Sequence, residues 1–328
     1  SWSSRTGCAL TACWNTTEAM PWSNRRSAWL LLFVLGCAGA EEAERATGDS
    51  GEPEAPPSWS DADWNVLQAK SRWALEQGLD TMPLGDAMAR LGRTFVGTPY
   101  VPSTLEVDGP ERLVINFQGL DCVTFVENVL TLSRFVRTGN VTVLLDDRVA
   151  AEERYEALLT EIRYRQGRIE GYPSRLHYFT DWIGSNEERG LVRDLTREIG
   201  ADLDTEPVDF MTTHTEAYRQ LADPAHVSRI RQAEERLTEQ GRWYVPQDRL
   251  TAAIPTIRDG DIIAATSTVP GLDVAHTGLA LWIDGRLHLL HAPLVGEAVQ
   301  ISELPLAERL LGIRAQDGVI VARPTGAR

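Results

Sequence analysis

Apolar residues recur at intervals of three and four through the first half of the chain that follows residue 58. This spacing places apolar side chains on one face of a helix and polar ones on the other. It predicts helices over residues 64–78, 84–91, 122–136, 151–164, 187–199 and 225–240. The stripes of the last three are typical of surface helices that pack on a core. We therefore expect residues 149–241 to be mainly helical.

The apolar period changes to two after Pro255. This alternation predicts strands over residues 261–265, 277–283, 287–291, 299–302 and 319–323. A shorter strand is expected earlier, at Leu113–Phe117. Asp284-Gly285 is a two-residue connection of the kind that joins antiparallel strands. Helices followed by an antiparallel sheet indicate the α+β class.

The first 40 residues have the pattern of an export signal rather than of a fold. Arg25 and Arg26 precede the apolar run Ala28–Leu35, which is the order of charged and apolar regions in a secretory signal. The run is too short for a transmembrane helix, which needs about 20 apolar residues. Residues 1–19 lie upstream of this pattern and are expected to be a leader translated from a wrongly chosen start codon.

The end of the apolar run offers two processing sites. Val34-Leu35-Gly36-Cys37 resembles a bacterial lipobox, in which Cys37 would be lipidated, whereas Ala38-Gly39-Ala40 resembles an ordinary cleavage site. Residues 41–57 are rich in Glu, Gly, Ala and Pro, so we expect a disordered tether. The body then covers residues 58–328. We expect an exported protein on the periplasmic face, anchored through Cys37 to the inner or outer membrane.

The chain has a net charge of -15. Nucleic-acid binding relies on lysine and arginine contacts to phosphates, so no nucleic-acid partner is expected.

Of four cysteines in the chain, only Cys122 lies in the body. An exported domain with one cysteine cannot form an internal disulfide, and a leftover thiol in this setting is a candidate reactive group. A buried cysteine that acts as a small apolar residue is the structural alternative. Cysteine counting alone leaves both open.

Cys122 is predicted to lie in the first turn of a helix, directly after Asp121. Helix N-termini carry partial positive charge and free backbone N–H groups, which favour a thiolate and lower the thiol pKa. The same N–H groups can donate to an oxyanion. A nucleophile at this position also needs a general base and a group that orients the base.

Two histidines can supply these functions. His276 begins one strand of the predicted hairpin, 8 residues before Asp284, and His291 ends the other, 6 residues after Gly285, so antiparallel pairing puts them side by side within the tolerance of a bulge. His288 lies three residues before His291 and should face the opposite side of the sheet. Gly278 leaves room beside His276 for a substrate or a neighbouring chain. A purely structural histidine pair, and a Cys/His/His zinc site, are alternatives; the chain lacks the tight ligand spacings typical of zinc sites.

Five short motifs occur in a fixed order over residues 97–292. They are Gly97-Thr98-Pro99-Tyr100, Leu120-Asp121-Cys122, Asp259-Gly260-Asp261, His276-Thr277-Gly278 and His291-Ala292. This order resembles the NlpC-type cysteine peptidases of cell-wall turnover, which have a papain-like fold. The chain departs from their pattern at Thr277, where valine is common; we expect this isosteric change to matter little.

Three longer segments resemble one family within that superfamily. The segments are residues 121–128, 174–182 and 271–276. The family is the N-acetylmuramoyl-L-alanine amidase-like family, once catalogued only as a domain of unknown function, number 1460. The resemblance implies a nucleophile helix packed on an antiparallel sheet, with a long helical insertion between the cysteine and the first histidine. It also implies a metal-free and cofactor-free hydrolase.

The resemblance assigns roles to individual residues. It implies that Cys122 is the nucleophile, His276 the base and acid, and His291 the group that orients His276. Substrate-binding residues implied by the resemblance, or by proximity to the cleft, are Tyr100, Asp121, Arg175, His177, Tyr178 and Asp273. Asp121 and Asp273 could instead stiffen the site, and the 175–178 segment could simply be packed.

The implied partners are muropeptides, and the implied reaction is cleavage of the bond between N-acetylmuramic acid and L-alanine. Three alternatives stay open. They are a γ-D-glutamyl-diamino acid endopeptidase, a non-catalytic wall-binding lipoprotein and a thiol acyltransferase on the same fold.

Overall fold

The computed structural model describes residues 59–294 and 297–326. The expected leader, export signal, tether and lipidation site at Cys37 lie outside these described residues. Those expectations therefore stay predictions.

Helices occupy most of the region before residue 240. Within the described ranges they are α1 (Asp61–Glu76), α2 (Leu84–Arg93), α3 (Cys122–Phe135), α4 (Val141–Leu144), α5 (Arg148–Arg163), α6 (Phe179–Glu188), α7 (Phe210–Thr213), α8 (Pro224–Gln240), α9 (Leu250–Ala253) and α10 (Leu306–Leu311). The strands are β1 (Val192–Asp194), β2 (Asp202–Asp204), β3 (Arg242–Pro246), β4 (Ile262–Ser267), β5 (Val274–Ile283), β6 (Arg286–His291), β7 (Gln300–Ile301) and β8 (Gln316–Pro324).

The strands form one antiparallel sheet with the order β2-β3-β8-β4-β5-β6-β7, and β1 pairs with β8 at the side of this path. The β5–β6 hairpin turns at Asp284 and Gly285, both with positive φ, as a two-residue turn matched to strand twist requires. Helices and an antiparallel sheet confirm the α+β class. The finer papain-like assignment stays a prediction.

The central strands are apolar on both faces because a core lies on each side of the sheet. In β4, Ile262 and Ala264 pack in the core that contains α3, whereas Ile263 and Ala265 face the core that contains α9 and α10. All six residues of β4 are buried. Burial on both faces fixes the register of the strands that carry the candidate site, since a slip by one residue would exchange the two faces.

The segment between α5 and β3 has its own apolar cluster. Tyr172 and Tyr178 pack there with Met211, Ile230 and Leu237. This segment is less helical than the sequence predicts, because it also supplies β1 and β2 to the sheet.

Two predictions made from the apolar pattern are wrong. The helix predicted over 187–199 ends at Glu188; Gly190 has a φ of 69° and the chain then enters β1. The strand predicted over residues 113–117 has no strand partner among residues 59–294 and 297–326. Its backbone is bonded by side chains instead, with Phe117 N donating to Asp63 at 2.8 Å and Val114 O accepting from Arg163 at 2.7 Å. Alternating burial alone could not distinguish this segment from a strand.

No helix in the described ranges is both long enough and apolar enough to cross a bilayer.

Candidate active site

Cys122 is the first residue of α3, and Asp121 caps this helix. The Asp121 carboxylate accepts from the Thr124 N–H at 2.8 Å, and the Thr124 hydroxyl accepts from the Asp121 N–H at 2.9 Å. This reciprocal capping box satisfies two otherwise free donors. Of the two roles expected for Asp121, its contacts favour stiffening the site.

The first turn of α3 keeps two donors free. Thr124 N donates to the Asp121 carboxylate and Phe125 N to the Asp121 carbonyl, but neither Cys122 N nor Val123 N donates to another residue in the described part of the chain; the Cys122 N–H interacts only with its own sulfur. Both residues are partly exposed. These N–H groups are therefore available to an oxygen placed beside the Cys122 side chain.

Tyr100 lies at the entrance to the same helix. Its segment pairs with Leu120 in a parallel bridge, and its N–H donates to Glu297 O at 2.7 Å, in the loop after β6. Burial, and to a lesser extent the neighbouring Cys122 and Asp121, together raise the pKa of Tyr100 to about 12. The phenol therefore stays protonated near neutral pH and can donate a hydrogen bond.

His276 and His291 meet across the β5–β6 hairpin. His276 Nε2 lies 2.6 Å from His291 Nδ1, and the two rings are nearly perpendicular. The register differs from the side-by-side pairing expected: His291 falls in register with Gly278, two residues along from His276, since Leu279 pairs with Leu290. The hydrogen bond is therefore diagonal across the pair.

Gly278 makes this diagonal contact possible. A Cβ at this position would lie 2.9 Å from His291 Cβ and 2.8 Å from Leu290 O. The space is thus taken by the neighbouring strand and not left for substrate. The register of β4 against β5 also shifts next to His276, so that Ala275 is an extra residue. Such bulges re-aim side chains beside functional sites.

His288 points away from this pair, as expected. It pairs with Leu281, and its Nδ1 lies 2.9 Å from Ser302 O.

Thr277 connects β5 to the start of α3. Its hydroxyl donates to Cys122 O at 2.8 Å, and its side chain is 1% exposed. Valine could not donate this bond, and the expectation that the change matters little stays a prediction. The contact brings Cys122 against the residue that follows His276. In the described residues the Cys122 thiol itself makes no hydrogen bond to His276.

The resting thiol is neutral, contrary to the expected lowering of its pKa. Burial, and then the adjacent Asp121 carboxylate, raise the pKa of Cys122, whereas hydrogen bonds from the Thr277 backbone and hydroxyl and from its own backbone N–H oppose the increase; the net pKa is about 11. The helix cap that fixes Cys122 thus also places a negative charge beside it.

The imidazoles are neutral as well. Burial, then His291 and Arg309, hold the pKa of His276 well below its usual value; burial and Arg309 lower the pKa of His291 to about 3. Arg309, on α10, is half-buried and donates to Gln316 at 3.4 Å. The sequence analysis missed it, because no local motif connects an arginine on a late helix with this hairpin.

The proton arrangement of the pair has one costly feature. If His276 Nδ1 is to accept a proton, the His276 proton must lie on Nε2 and be donated to His291 Nδ1. His291 then carries its proton on Nε2, which is buried and has no partner in the described ranges. A buried N–H of this kind costs about 1–3 kcal/mol. The tautomer that can act as a base is therefore held at an energetic cost.

Arg175 is engaged within the protein. It is 5% exposed, pairs with the Glu106 carboxylate, donates to Leu105 O at 3.0 Å and places Nε 3.6 Å from Glu111. These contacts hold the loop that connects Tyr100 to α3. A direct role in substrate binding stays a prediction that the contacts do not favour.

Tyr178 and Asp273 are also buried and bonded. Tyr178 donates to Glu234 at 2.6 Å, and the Asp273 carboxylate accepts from the Thr180 N–H at 2.8 Å at the start of α6. Asp273 therefore stiffens the segment before His276. His177 is half-buried; its ring lies tilted against that of Tyr172, and its Nε2 lies 3.0 Å from Tyr172 O. Substrate binding by these residues stays a prediction.

Residues 59–294 and 297–326 contain no group of three or more His, Cys, Asp or Glu side chains placed to hold a metal ion. The geometry of the described part therefore provides no support for the zinc alternative.

A family model described as N-acetylmuramoyl-L-alanine amidase-like matches residues 90–315. The match spans the Cys122 helix, the insertion and the histidine hairpin. No curated protein sequence matches the chain significantly.

Solved structures resemble the chain over most of its length. The crystal structure of an N-acetylmuramoyl-L-alanine amidase from Bacteroides uniformis is 38% identical with a TM-score of 0.67, covering 74% of this chain and 98% of that one. A Bacteroides fragilis structure described as a candidate xylanase is also 38% identical, with a TM-score of 0.64, covering 71% and 98%. A Legionella pneumophila protein of the family formerly of unknown function, number 1460, is 20% identical, with a TM-score of 0.56. The match covers 80% of this chain and 95% of that one, and the two share the fold.

Proposed function

Because the chain belongs to the N-acetylmuramoyl-L-alanine amidase-like family, we propose that it is a cysteine-dependent cell-wall amidase that cleaves the bond between N-acetylmuramic acid and L-alanine. One observation carries the cysteine dependence. Cys122 begins α3 beside two free backbone N–H groups and contacts the strand that bears the hydrogen-bonded His276–His291 pair.

The first chemical step starts from a neutral thiol and a neutral imidazole. As Cys122 Sγ attacks the lactyl carbonyl carbon, His276 Nδ1 accepts the thiol proton, and His291 orients the ring through its bond to Nε2. In the resting site the thiol makes no hydrogen bond to His276 within the described ranges, so substrate binding must bring the two together. Catalytic hydrogen bonds commonly shorten in this way when substrate binds.

The developing oxyanion would lie at the start of α3. The N–H groups of Cys122 and Val123 are free to donate to it, and the protonated Tyr100 hydroxyl is a third candidate donor. Donors fixed before the reaction stabilise a transition state more than mobile water does.

Collapse of the tetrahedral intermediate expels the peptide amine, to which His276 returns the proton. This leaves a muramoyl thioester on Cys122. His276 then removes a proton from water as the water oxygen attacks the thioester carbon. The C–S bond breaks, the muramoyl carboxyl product leaves, and His276 returns the proton to the departing thiolate.

Glycoside hydrolysis is a weaker explanation of the site, although one similar structure is described as a candidate xylanase. Such hydrolysis usually requires two carboxyl groups on opposite sides of the bond. Here the Cys122 side chain is accompanied by imidazoles, and the nearby Asp121 carboxylate is used as a helix cap.

Digestion of a purified disaccharide-peptide, followed by mass spectrometry, tests the proposed bond. Free disaccharide with an intact stem peptide is expected; shortened stems would instead indicate the endopeptidase, and lipid acyl transfer would indicate the acyltransferase. Cys122→Ala should remove the activity, and EDTA should not. Full activity of Cys122→Ala, or loss of wild-type activity with EDTA, would disprove the mechanism. Binding without turnover would indicate a wall-binding module.

We also propose that the protein acts after export, on the periplasmic face, anchored by lipid at Cys37. The lipobox-like sequence supports this proposal. Membrane fractionation of cells grown with labelled palmitate should show label on the wild-type protein and none on Cys37→Ala. Soluble, unlabelled wild-type protein would indicate ordinary signal cleavage.

A further inference from the structure

We propose that Thr277 is a positioning residue that holds Cys122 against the histidine strand and stabilises its thiolate during the reaction. This inference rests on the proposed role of Cys122 as the nucleophile. It concerns a position where this chain departs from the valine common in the wider superfamily.

The geometry of Thr277 is fixed by the sheet and by α3 together. Thr277 pairs with Ala264 of β4, so its backbone position is set by the centre of the sheet. Its hydroxyl reaches Cys122 O at 2.8 Å and its side chain is almost fully buried. Water therefore does not compete for this hydroxyl, and the bond ties the nucleophile to the strand that carries His276.

The hydroxyl has one proton and two acceptors on the same residue. In the resting state the proton is donated to Cys122 O. Once the thiol loses its proton, the negatively charged sulfur becomes the stronger acceptor, because hydrogen bonds to ionised groups are stronger than those to neutral ones. The Thr277 N–H can support the same charge. Hydrogen bonds from both groups lower the thiol pKa and oppose the effects of burial and of Asp121.

This arrangement compensates for a local conflict. The carboxylate that caps α3 places a negative charge next to the nucleophile, and burial penalises the thiolate further. A donor on the facing strand reduces both penalties without adding a charge. Valine has nearly the same shape as threonine but lacks the donor, so Thr277→Val removes the hydroxyl while keeping most of the packing.

The test measures alkylation of Cys122 in the full-length protein by iodoacetamide as a function of pH. Mass spectrometry of the Cys122 peptide separates it from the other cysteines. Thr277→Val should slow alkylation about tenfold at a fixed pH and raise the midpoint of the profile by about one pH unit. Thr277→Ser keeps the hydroxyl and should restore the wild-type profile.

Thr131→Val is the matched control, since the Thr131 hydroxyl is buried and donates to Glu127 O at 2.7 Å, also on α3. Its profile should equal that of the wild type. An unchanged profile in Thr277→Val, or an equal slowing in Thr277→Ser, would overturn the inference while leaving the proposed function intact. A wild-type Cys122 that resists alkylation throughout would overturn both.

Discussion

Two regions of this protein are rich in ionisable and aromatic side chains, but they differ in how their polar atoms are used. The insertion cluster, Arg175, Tyr178 and Glu234, engages its charged groups and hydroxyl internally through Glu106, Glu111 and the backbone of α7; only Arg175 Nε, 3.6 Å from Glu111, has no hydrogen bond among them. The site cluster, Tyr100, Cys122, His276 and His291, keeps donors and acceptors available. The Tyr100 hydroxyl and the first two N–H groups of α3 donate to no other residue in the described ranges.

The difference shows that a high density of polar and ring side chains does not by itself identify a site. The 175–178 segment became a candidate only through the family resemblance, since its density of polar and ring side chains is equally typical of a packed loop. Its charges instead neutralise each other, and its hydroxyl and guanidinium groups hold loops in place. Substitutions in the two clusters should therefore have different effects: loss of turnover in one and loss of stability in the other.

The largest expected effect is that of His291→Ala. Without the bond to Nε2, the ring of His276 loses its orientation and its productive tautomer. Loss of the orienting member of a triad costs about 10⁴-fold in kcat. His288→Ala, on the same strand but facing the opposite side, is the control and should keep wild-type turnover of the muropeptide. Equal activity of the two variants would remove His291 from the mechanism.

Tyr100→Phe should have the next largest effect. Removing one oxyanion donor typically costs about 10²–10³-fold in kcat. Tyr244→Phe is a suitable control, because the Tyr244 hydroxyl makes no hydrogen bond among the described residues and lies on β3. Steady-state kinetics that show a raised KM with normal kcat would assign Tyr100 to substrate binding instead.

Arg309→Gln should change the pH dependence of kcat/KM more than it changes the maximal rate. Arg309 lowers the pKa of both His276 and His291, so its removal should raise both. His276 would then become protonated, and inactive as a base, at higher pH. The acidic limb of kcat/KM should therefore move upward by about one pH unit.

Arg286→Gln is the matched control for this prediction, since Arg286 pairs with Glu308, the neighbour of Arg309, at the surface. Its pH profile should stay that of the wild type. A shift of the same size in both variants would indicate a general charge effect rather than a specific one.

The smallest effect on turnover is expected for Tyr178→Phe. The variant leaves Met211 N–H buried without its acceptor, which is 2.8 Å away in the wild type. Chemical denaturation should therefore show a free energy of unfolding lower by about 1–3 kcal/mol, whereas kcat of the folded enzyme should be unchanged. A large fall in kcat with an unchanged free energy of unfolding would instead show that Tyr178 acts with the site cluster.

Local patterns in the chain were sufficient for most of the fold. The three-to-four spacing located α1, α2, α3, α5 and α8, and the alternation after Pro255 located the hairpin and its neighbours, because these elements bury one or both faces in a regular way. The predictions for residues 113–117 and 187–199 were wrong for the same reason. The apolar side chains of both segments are buried, but tertiary partners decide which hydrogen bonds their backbones make. Gly190 was the available signal for the early end of α6.

The sequence by itself determined the cysteine at a helix start, the two histidines on one hairpin and the opposite orientation of His288, since each follows from the period of a local element. Only the tertiary structure decided their chemistry. Burial and the Asp121 cap make the thiol neutral, the diagonal register across Gly278 joins the imidazoles, and Arg309 and Thr277 act on the site from other elements. Such effects depend on distances between segments far apart in the chain, and no local pattern encodes those distances.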